Sequence, residues 1–193
     1  MKGIILFILI LTAITASSQV AQIDISSKNE SEREEKVVTL LKEILLENDL
    51  SQWRFTDKVI IEERVIPHSH PTLTLNTSSF DKKDILDTYL HEQLHWYVDR
   101  NQSGENAAIE EFKLRYKNVP FGNRAGARDE YSTYLHLIVC FLEYRSLAQL
   151  LGEEESKQMM WNQTHYTWVY NKIIEDSSYI RKVLKNSGFD LVE

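Results

Sequence analysis

His91-Glu92-Gln93-Leu94-His95 is the most informative stretch of this 193-residue chain. On an α-helix, residues four positions apart lie one above the other, so the two imidazoles of this stretch can face the same ion. Glu92 is rotated by about 100° from His91 and therefore lies beside such an ion, outside its coordination sphere. A carboxylate in that place can take a proton from a metal-bound water. The HExxH pattern thus predicts two metal ligands, one general base and an open coordination position.

The residues around the motif favour a long helix that carries it without interruption. Neither glycine nor proline occurs in residues 78–103, which leaves room for a helix of about five turns. Asp81 is a suitable N-cap, and Asp84 lies in the first turn, where the helix dipole favours a negative charge. The alternative is a pair of histidines with purely structural roles. The setting favours a metal site.

The ten residues from Thr88 to Tyr97 resemble the extended active-site helix of zincin-type metallopeptidases. In that pattern a threonine or valine stands three residues before the first histidine, and uncharged residues fill the gaps. The metzincin extension HExxHxxGxxH is absent, since Asp99 and Arg100 follow and the next histidine is His136. The resemblance assigns no named subfamily. It implies a zinc ion, a water nucleophile and hydrolysis of peptide bonds.

The N-terminus has the features of a secretory signal peptide. Lys2 is followed by an apolar run over residues 3–14 and by small residues at Ala16 and Ser18. This order predicts a signal peptide over residues 1–18, with cleavage before Gln19. An uncleaved membrane anchor is the alternative, although the apolar run is short for a bilayer span. We therefore expect an exported protein, secreted or periplasmic, without an integral membrane segment after signal removal.

Composition narrows the class of partner. The chain has 29 acidic and 22 basic residues and a formal net charge of −7. This balance argues against nucleic acid as a partner, because phosphate binding needs clustered lysine and arginine. A peptide or protein substrate is what the resemblance implies. The single cysteine, Cys140, excludes an intrachain disulfide, so we expect it to be a small buried apolar residue.

Apolar periodicity and turn residues predict an α+β chain that is mainly helical. The capping box that starts at Ser31 predicts a first helix to about Asn48. The lead-in over residues 19–29 is polar and is predicted to be flexible. Residues 58–66 and 72–76 are rich in β-branched side chains and are predicted strands. Predicted helices follow the motif at residues 105–117, 129–151, 153–161, 164–176 and 178–185. Residues 19–193 are expected to form a single zincin-like domain, with a short sheet flanking the HExxH helix.

A strand just before the motif helix suggests where a substrate could bind. An extended peptide can pair along the edge of such a strand by β-augmentation, and the resemblance implies that mode of binding here. An ordinary sheet edge is the alternative. His68 and His70 alternate within the irregular segment that precedes this strand. They could form a second metal site, although surface histidines beside prolines are the commoner case.

A catalytic zinc site needs a third protein ligand. In the predicted helix 129–151, His136, Cys140 and Glu143 project along one stripe, since offsets of four and seven return to the same face. His136 is the predicted third ligand. Glu143 is an alternative, either as the ligand or as the hydrogen-bond acceptor of a ligand histidine, and Glu130 is a further candidate. His136 could also simply hydrogen-bond inside the core.

Hydrolysis also needs a donor to the oxyanion. His165 and Tyr166, both within a predicted late aromatic helix, are the predicted catalytic donors, either of which could serve, although aromatic residues at helical spacing more often belong to the core. With Glu92 as the base, the sequence predicts a secreted zinc metallopeptidase. The alternatives are a secreted binding or structural protein with a non-catalytic metal, or a non-peptidase zinc hydrolase such as a deformylase. The deformylase pattern has a cysteine ligand upstream of the motif, which this chain lacks. A purely structural site has no need of Glu92.

Overall fold

The computed structural model describes residues 23–192. The predicted signal peptide over residues 1–18 lies outside them. Within the described residues the chain is mainly helical, with one small sheet, as the sequence predicts. The elements are β1 (Asp24–Ser27), α1 (Glu32–Glu47), β2 (Lys58–Ile61), β3 (Leu73–Leu75), α2 (Lys82–Asp99), α3 (Gln102–Arg115), α4 (Glu130–Leu151), α5 (Glu153–Asn162), α6 (Thr167–Glu175) and α7 (Ser177–Asn186), with short 3-10 turns at Ser51–Trp53 and Asp190–Val192.

The described residues fall into two compact units. The division lies between Gln93 and Leu94, inside the continuous helix α2. One helix therefore belongs to both units, and the HExxH motif lies across the division. The grouping of residues 19–193 as one domain stays a prediction.

The N-terminal unit contains a three-stranded parallel sheet in the order β1-β2-β3. Ile25 lies opposite Val59, and Ile60 lies opposite Thr74. Strand β1 lies in the segment predicted to be a flexible lead-in, so that prediction is wrong for residues 24–27. The segment Asp-Ile-Ser-Ser has no fully buried residue, and it therefore lacks the apolar face by which a strand is found in sequence.

Strands β2 and β3 are shorter than predicted. Strand β2 ends at Ile61, and Arg64 just beyond it takes a left-handed conformation with φ of 63°. Few residues other than glycine adopt that conformation. It breaks the extended run that the β-branched composition of residues 58–66 predicts.

The outer edge of β3 is partly occupied by the chain itself. Alternate residues of a strand direct their N–H and C=O groups to opposite sides, and Thr74 is the residue of β3 directed away from β2. Its N–H donates to the His68 carbonyl at 2.8 Å, and its carbonyl accepts from the His68 N–H at 3.1 Å. The expectation of an edge open to an extended peptide is therefore wrong at Thr74.

Helix α1 begins with the predicted capping box. The Glu34 N–H donates to Ser31 Oγ at 3.2 Å, and the Glu34 carboxylate accepts from the backbone N–H groups of Asn29 at 2.7 Å and Glu63 at 2.9 Å. Burial alone would raise the pKa of Glu34, but the backbone N–H groups of Glu63, Asn29 and Ser31 outweigh it and lower that pKa. The charged carboxylate thus ties the start of α1 to the segment that follows β2.

The C-terminal unit is built around α4, which packs against α3, α5, α6 and α7. The bounds of α4 match the prediction. Asp129 Oδ1 accepts from the Ser132 N–H at 2.7 Å, and Gly152 ends the helix with φ of 93°. Leu137 and the five residues after it are fully buried. The apolar centre of the sequence is therefore the centre of this unit.

Two helices of this unit start away from their predicted residues. Helix α3 begins three residues early because Asn101 caps it, accepting from the Gly104 N–H at 3.1 Å. Helix α6 begins at Thr167, since Tyr166 just before it is left-handed with φ of 54°. Among the described helices, none combines the length and the apolar character that crossing a membrane requires.

Candidate metal centre

Helix α2 places the motif in the middle of an unbroken helix. Asp81 Oδ1 accepts from the Lys83 N–H at 2.7 Å, so the predicted N-cap is confirmed. Leu90 and Leu94 are fully buried, whereas His91 and His95 are half-buried. Because the helix is continuous from Lys82 to Asp99, the two histidines lie one turn apart on one face.

Gln93, the third residue of the motif, anchors α2 to the chain before β2. Its Oε1 accepts from the backbone N–H groups of Phe55 at 2.7 Å and Thr56 at 2.9 Å. Its Nε2 donates to the Thr56 carbonyl at 2.9 Å and to the Tyr89 hydroxyl at 3.0 Å. The side chain is fully buried. Both polar ends of the amide are thus used within the N-terminal unit, and this role has no signal in the sequence.

Glu92 is a buried carboxylate that follows His91, a predicted ligand, in the chain. Only 6% of the residue is exposed. Burial raises the pKa of Glu92, and the nearby His91 charge opposes that rise. A raised pKa makes a carboxylate a stronger base once it is ionised, which is the property expected of a residue that accepts a proton from water.

His136 has its tautomer fixed by the backbone of its own helix. Its Nδ1 lies 2.6 Å from the Ser132 carbonyl oxygen. A carbonyl can only accept, so Nδ1 carries the hydrogen, and in the neutral imidazole the lone pair is on Nε2. Such a hydrogen bond orients many metal-binding histidines. His136 is 8% exposed, so its ring is largely shielded from solvent.

The structure brings the three predicted ligands together. The rings of His95 and His136 meet edge to face, with centroids 5.2 Å apart, and His91 lies one helical turn before His95. One ring nitrogen from each histidine falls within 4.8 Å of the others. Glu130, the further candidate, is exposed and belongs to neither group of candidate ligands among the described residues.

The donor set suits a catalytic zinc ion. Three histidines with a free fourth position are a common arrangement for catalytic zinc. At zinc–nitrogen distances of about 2.0–2.1 Å, tetrahedral ligand atoms lie about 3.3 Å apart. The nitrogens here all lie within 4.8 Å of one another, which is the closeness that ligands of a single ion need. The residues present therefore fit the group that the resemblance implies.

Tyr166 lies against His136, the predicted third ligand. Its ring stacks on His136 with centroids 4.2 Å apart and an angle of 28° between the planes. The left-handed backbone at Tyr166 turns the chain immediately before α6. The first N–H groups of α6 are held by loop carbonyls, with Thr167 N–H donating to Arg124 O at 3.1 Å and Trp168 N–H to Ala125 O at 3.0 Å. These contacts fix the turn that presents the tyrosine ring.

His165, the other predicted donor, is placed differently. Its side chain is exposed, and its Nδ1 lies 3.3 Å from the hydroxyl of the adjacent Thr164. The structure stacks Tyr166 on His136 and leaves the His165 side chain exposed. Of the two predicted donors, the geometry favours Tyr166.

The loop that holds the start of α6 depends on one glycine. A Cβ atom at Gly126 would lie 1.8 Å from the Pro120 carbonyl oxygen. Thr133 Oγ1 also donates to that carbonyl at 2.9 Å and accepts from the Ala127 N–H at 2.9 Å. This close approach of the backbone requires glycine at position 126. The hydrogen bonds of Thr133 connect the first turn of α4 with the loop that holds the start of α6.

The other residues of the predicted stripe on α4, Cys140 and Glu143, belong to a second group of candidate metal ligands. Cys140 is fully buried, as expected from its apolar surroundings, and Glu143 is 1% exposed. The Tyr170 hydroxyl lies 2.9 Å from Glu143 Oε1 and 3.2 Å from Oε2. Ligand atoms of His91, Cys140 and Glu143 all lie within 4.8 Å of one another. The sequence placed Cys140 and Glu143 on one stripe but did not identify Tyr170 as the partner of Glu143.

His68 and His70 are both exposed. His68 Nδ1 lies 2.9 Å from the Ile66 carbonyl oxygen, and His70 Nδ1 lies 2.9 Å from Ser69 Oγ. Neither histidine belongs to a group of candidate ligands in residues 23–192. The structure thus offers no support for a second metal site at these two residues.

Comparison of the chain with protein-family models, with curated proteins and with solved structures finds no match.

Proposed function

We propose that the protein is a zinc-dependent peptidase, with His91, His95 and His136 as the metal ligands and Glu92 as the general base. The observation that carries this proposal is the convergence of three imidazole nitrogens within 4.8 Å, with a buried carboxylate next to the first of them in the chain. A structural site would need the histidines but not the carboxylate. The combination supports hydrolysis over a purely structural metal.

The three histidines would hold the ion through one neutral nitrogen each. For His136 that nitrogen is Nε2, because Nδ1 donates to the Ser132 carbonyl. A bound zinc ion would supply Lewis-acid chemistry, lowering the pKa of coordinated water and polarising the scissile carbonyl.

Glu92 would carry the proton through the reaction. Its carboxylate accepts a proton from the attacking water and then delivers it to the leaving amine. Burial suits it to this role, since burial raises its pKa and so makes the ionised carboxylate a stronger base. Such proton transfer typically contributes about 10²–10⁴-fold to the rate.

Tyr166 is the residue we assign to the oxyanion. Its ring stacks on His136, so its hydroxyl belongs to a side chain already in contact with a ligand. A hydroxyl that donates to the developing negative charge stabilises the transition state. The stacking also limits the motion of both rings, which favours a fixed donor position.

We also propose, from the sequence alone, that the protein acts after export and on peptide or protein substrates. Both statements follow from the signal-like N-terminus and from the resemblance of the motif helix. The acidic net charge of −7 is consistent with a partner other than nucleic acid.

A cleavage screen with a matched pair of variants tests the function. The zinc-loaded protein is incubated with a peptide library, beside Glu92→Gln and Glu130→Gln. Glu130 lies on the exposed surface of α4, so its variant controls for loss of a carboxylate elsewhere. We expect cleavage by the parent and by Glu130→Gln, and a loss of about 10²-fold or more in Glu92→Gln with zinc retained. Equal cleavage by Glu92→Gln and the parent would refute the proposed base. A zinc-loaded parent without cleavage would favour the non-catalytic metal-binding alternative.

A further inference from the structure

The buried stripe of α4 carries more metal-binding groups than the three-histidine site uses. Cys140 and Glu143 project from the same face of α4 as His136, and each is at most 1% exposed. Their sulfur and carboxylate oxygen lie within 4.8 Å of a ring nitrogen of His91 and of each other. A thiol, a carboxylate and an imidazole are all donors that zinc accepts.

We propose that His91, Cys140 and Glu143 form a second metal position, for a thiophilic divalent ion such as zinc or cobalt. This inference rests on the proposed metal site in one respect, since both positions use His91. It assigns Cys140 a chemistry that the hydrolytic mechanism does not use.

Tyr170 orients the carboxylate of the second position. Its hydroxyl donates to the Glu143 carboxylate at 2.9 Å, and Tyr170 is itself 4% exposed. A buried carboxylate held by a buried hydroxyl has lost rotational freedom before any ion arrives, which lowers the entropy cost of binding. A coordinated ion also offsets the cost of keeping a carboxylate away from water.

The thiol distinguishes this position from the first. When an ion binds, the S–H bond of Cys140 is replaced by a sulfur–metal bond, and one proton is released to solvent. Thiolate ligands favour soft and borderline ions over magnesium or calcium. The second position is therefore selective for zinc-like ions.

His91 makes the two positions mutually exclusive. A neutral imidazole offers one unprotonated nitrogen, so it binds one ion at a time. An ion at the second position removes His91 from the first and leaves His95 and His136 without their third partner. An ion at the second position thus prevents assembly of the three-histidine site proposed for hydrolysis.

Absorption of the cobalt-loaded protein tests the second position without any substrate. A cobalt–thiolate bond gives a near-ultraviolet charge-transfer band, and Cys140 is the only cysteine in the chain. The parent, His136→Ala and the double variant His136→Ala/Cys140→Ser are titrated with Co²⁺ alone. His68→Ala, at an exposed histidine outside both groups, is the matched control.

We expect the parent and His68→Ala to bind one cobalt per chain at the three-histidine position, without the band. His136→Ala should bind cobalt with the band. Addition of Cys140→Ser should remove the band and weaken binding at least about tenfold, as expected for loss of a ligand. Unfolding curves check that each variant is folded. If His136→Ala does not fold, His95→Ala replaces it, because it disables the first position at a half-buried residue.

A folded His136→Ala variant that binds cobalt without the band, or binds none, would overturn the second position while leaving the proposed function standing. A band in the parent at the first equivalent would support the second position and contradict His136 as the preferred third ligand. A parent that binds no cobalt would overturn both proposals.

Discussion

Replacement of Gln93 by leucine tests whether the middle of the motif is structural. Leucine is close to glutamine in size, so the change removes hydrogen bonds while leaving the volume nearly constant. The backbone N–H groups of Phe55 and Thr56 lose their acceptor, and the Thr56 carbonyl and the Tyr89 hydroxyl lose a partner. Gln93 is fully buried, so water does not readily replace the amide.

The size of the effect follows from these contacts. Each part-buried donor left without an acceptor costs about 1–3 kcal/mol, and the extra apolar burial of leucine returns about 1 kcal/mol. Two donors are affected, so we expect Gln93→Leu to lower the free energy of unfolding by about 1–5 kcal/mol. Gln93 supplies no atom to either group of candidate metal ligands, so the folded variant should still bind zinc.

Urea unfolding measures this change. Gln158→Leu, at an exposed position on α5, is the control and should stay within about 0.5 kcal/mol of the parent. A change in Gln93→Leu below that same limit would refute the anchoring role. Loss of zinc from the folded variant would show that this anchor also positions the motif histidines.

Two further predictions concern Tyr166 and Glu34. Tyr166→Phe keeps the ring stacked on His136 but removes the hydroxyl, so steady-state kinetics should show kcat lower by about 10²-fold with zinc content unchanged; an unchanged kcat would remove Tyr166 from catalysis. Burial raises the pKa of Glu34, but hydrogen bonds from the backbone of Glu63 and Asn29 lower it overall below the usual 4.5. A group with a lowered folded-state pKa stabilises the fold above its unfolded-state pKa, and this contribution is lost as the pH falls through the lowered value. Unfolding curves between about pH 7 and pH 3 should therefore show a steeper loss of stability in the parent than in Glu34→Gln, and parallel curves would contradict this origin of acid sensitivity.

The starts of α1, α2 and α4 and the end of α4 were predictable because their signals are local. Ser31, Asp81 and Asp129 each cap a helix with their own side chains, and Gly152 ends α4. These contacts span only a few residues of sequence, so a single chain reveals them. The grouping of His136 with the motif histidines was also predictable, since a polar residue in an apolar helix face needs a partner.

Non-local contacts were not predictable in the same way. Gln93 bonds to Phe55, which lies 38 residues earlier, and no spacing rule connects them. Strand β1 has no apolar face and is recognised only through its pairing with β2. The choice between His165 and Tyr166 depends on the left-handed turn at Tyr166. Tyrosine rarely adopts this backbone conformation, so the residue type does not predict it.

The zinc content of the purified protein tests the central claim most directly. The parent, His91→Ala and His68→Ala are dialysed against zinc and then against metal-free buffer, and bound zinc is measured per chain. Because His91 belongs to both donor groups while His68 belongs to neither, we predict about one zinc in the parent and in His68→Ala, and none in folded His91→Ala. A parent without zinc, or a His91→Ala variant that retains it, would contradict the assignment of His91-Glu92-Gln93-Leu94-His95 as a metal-binding motif.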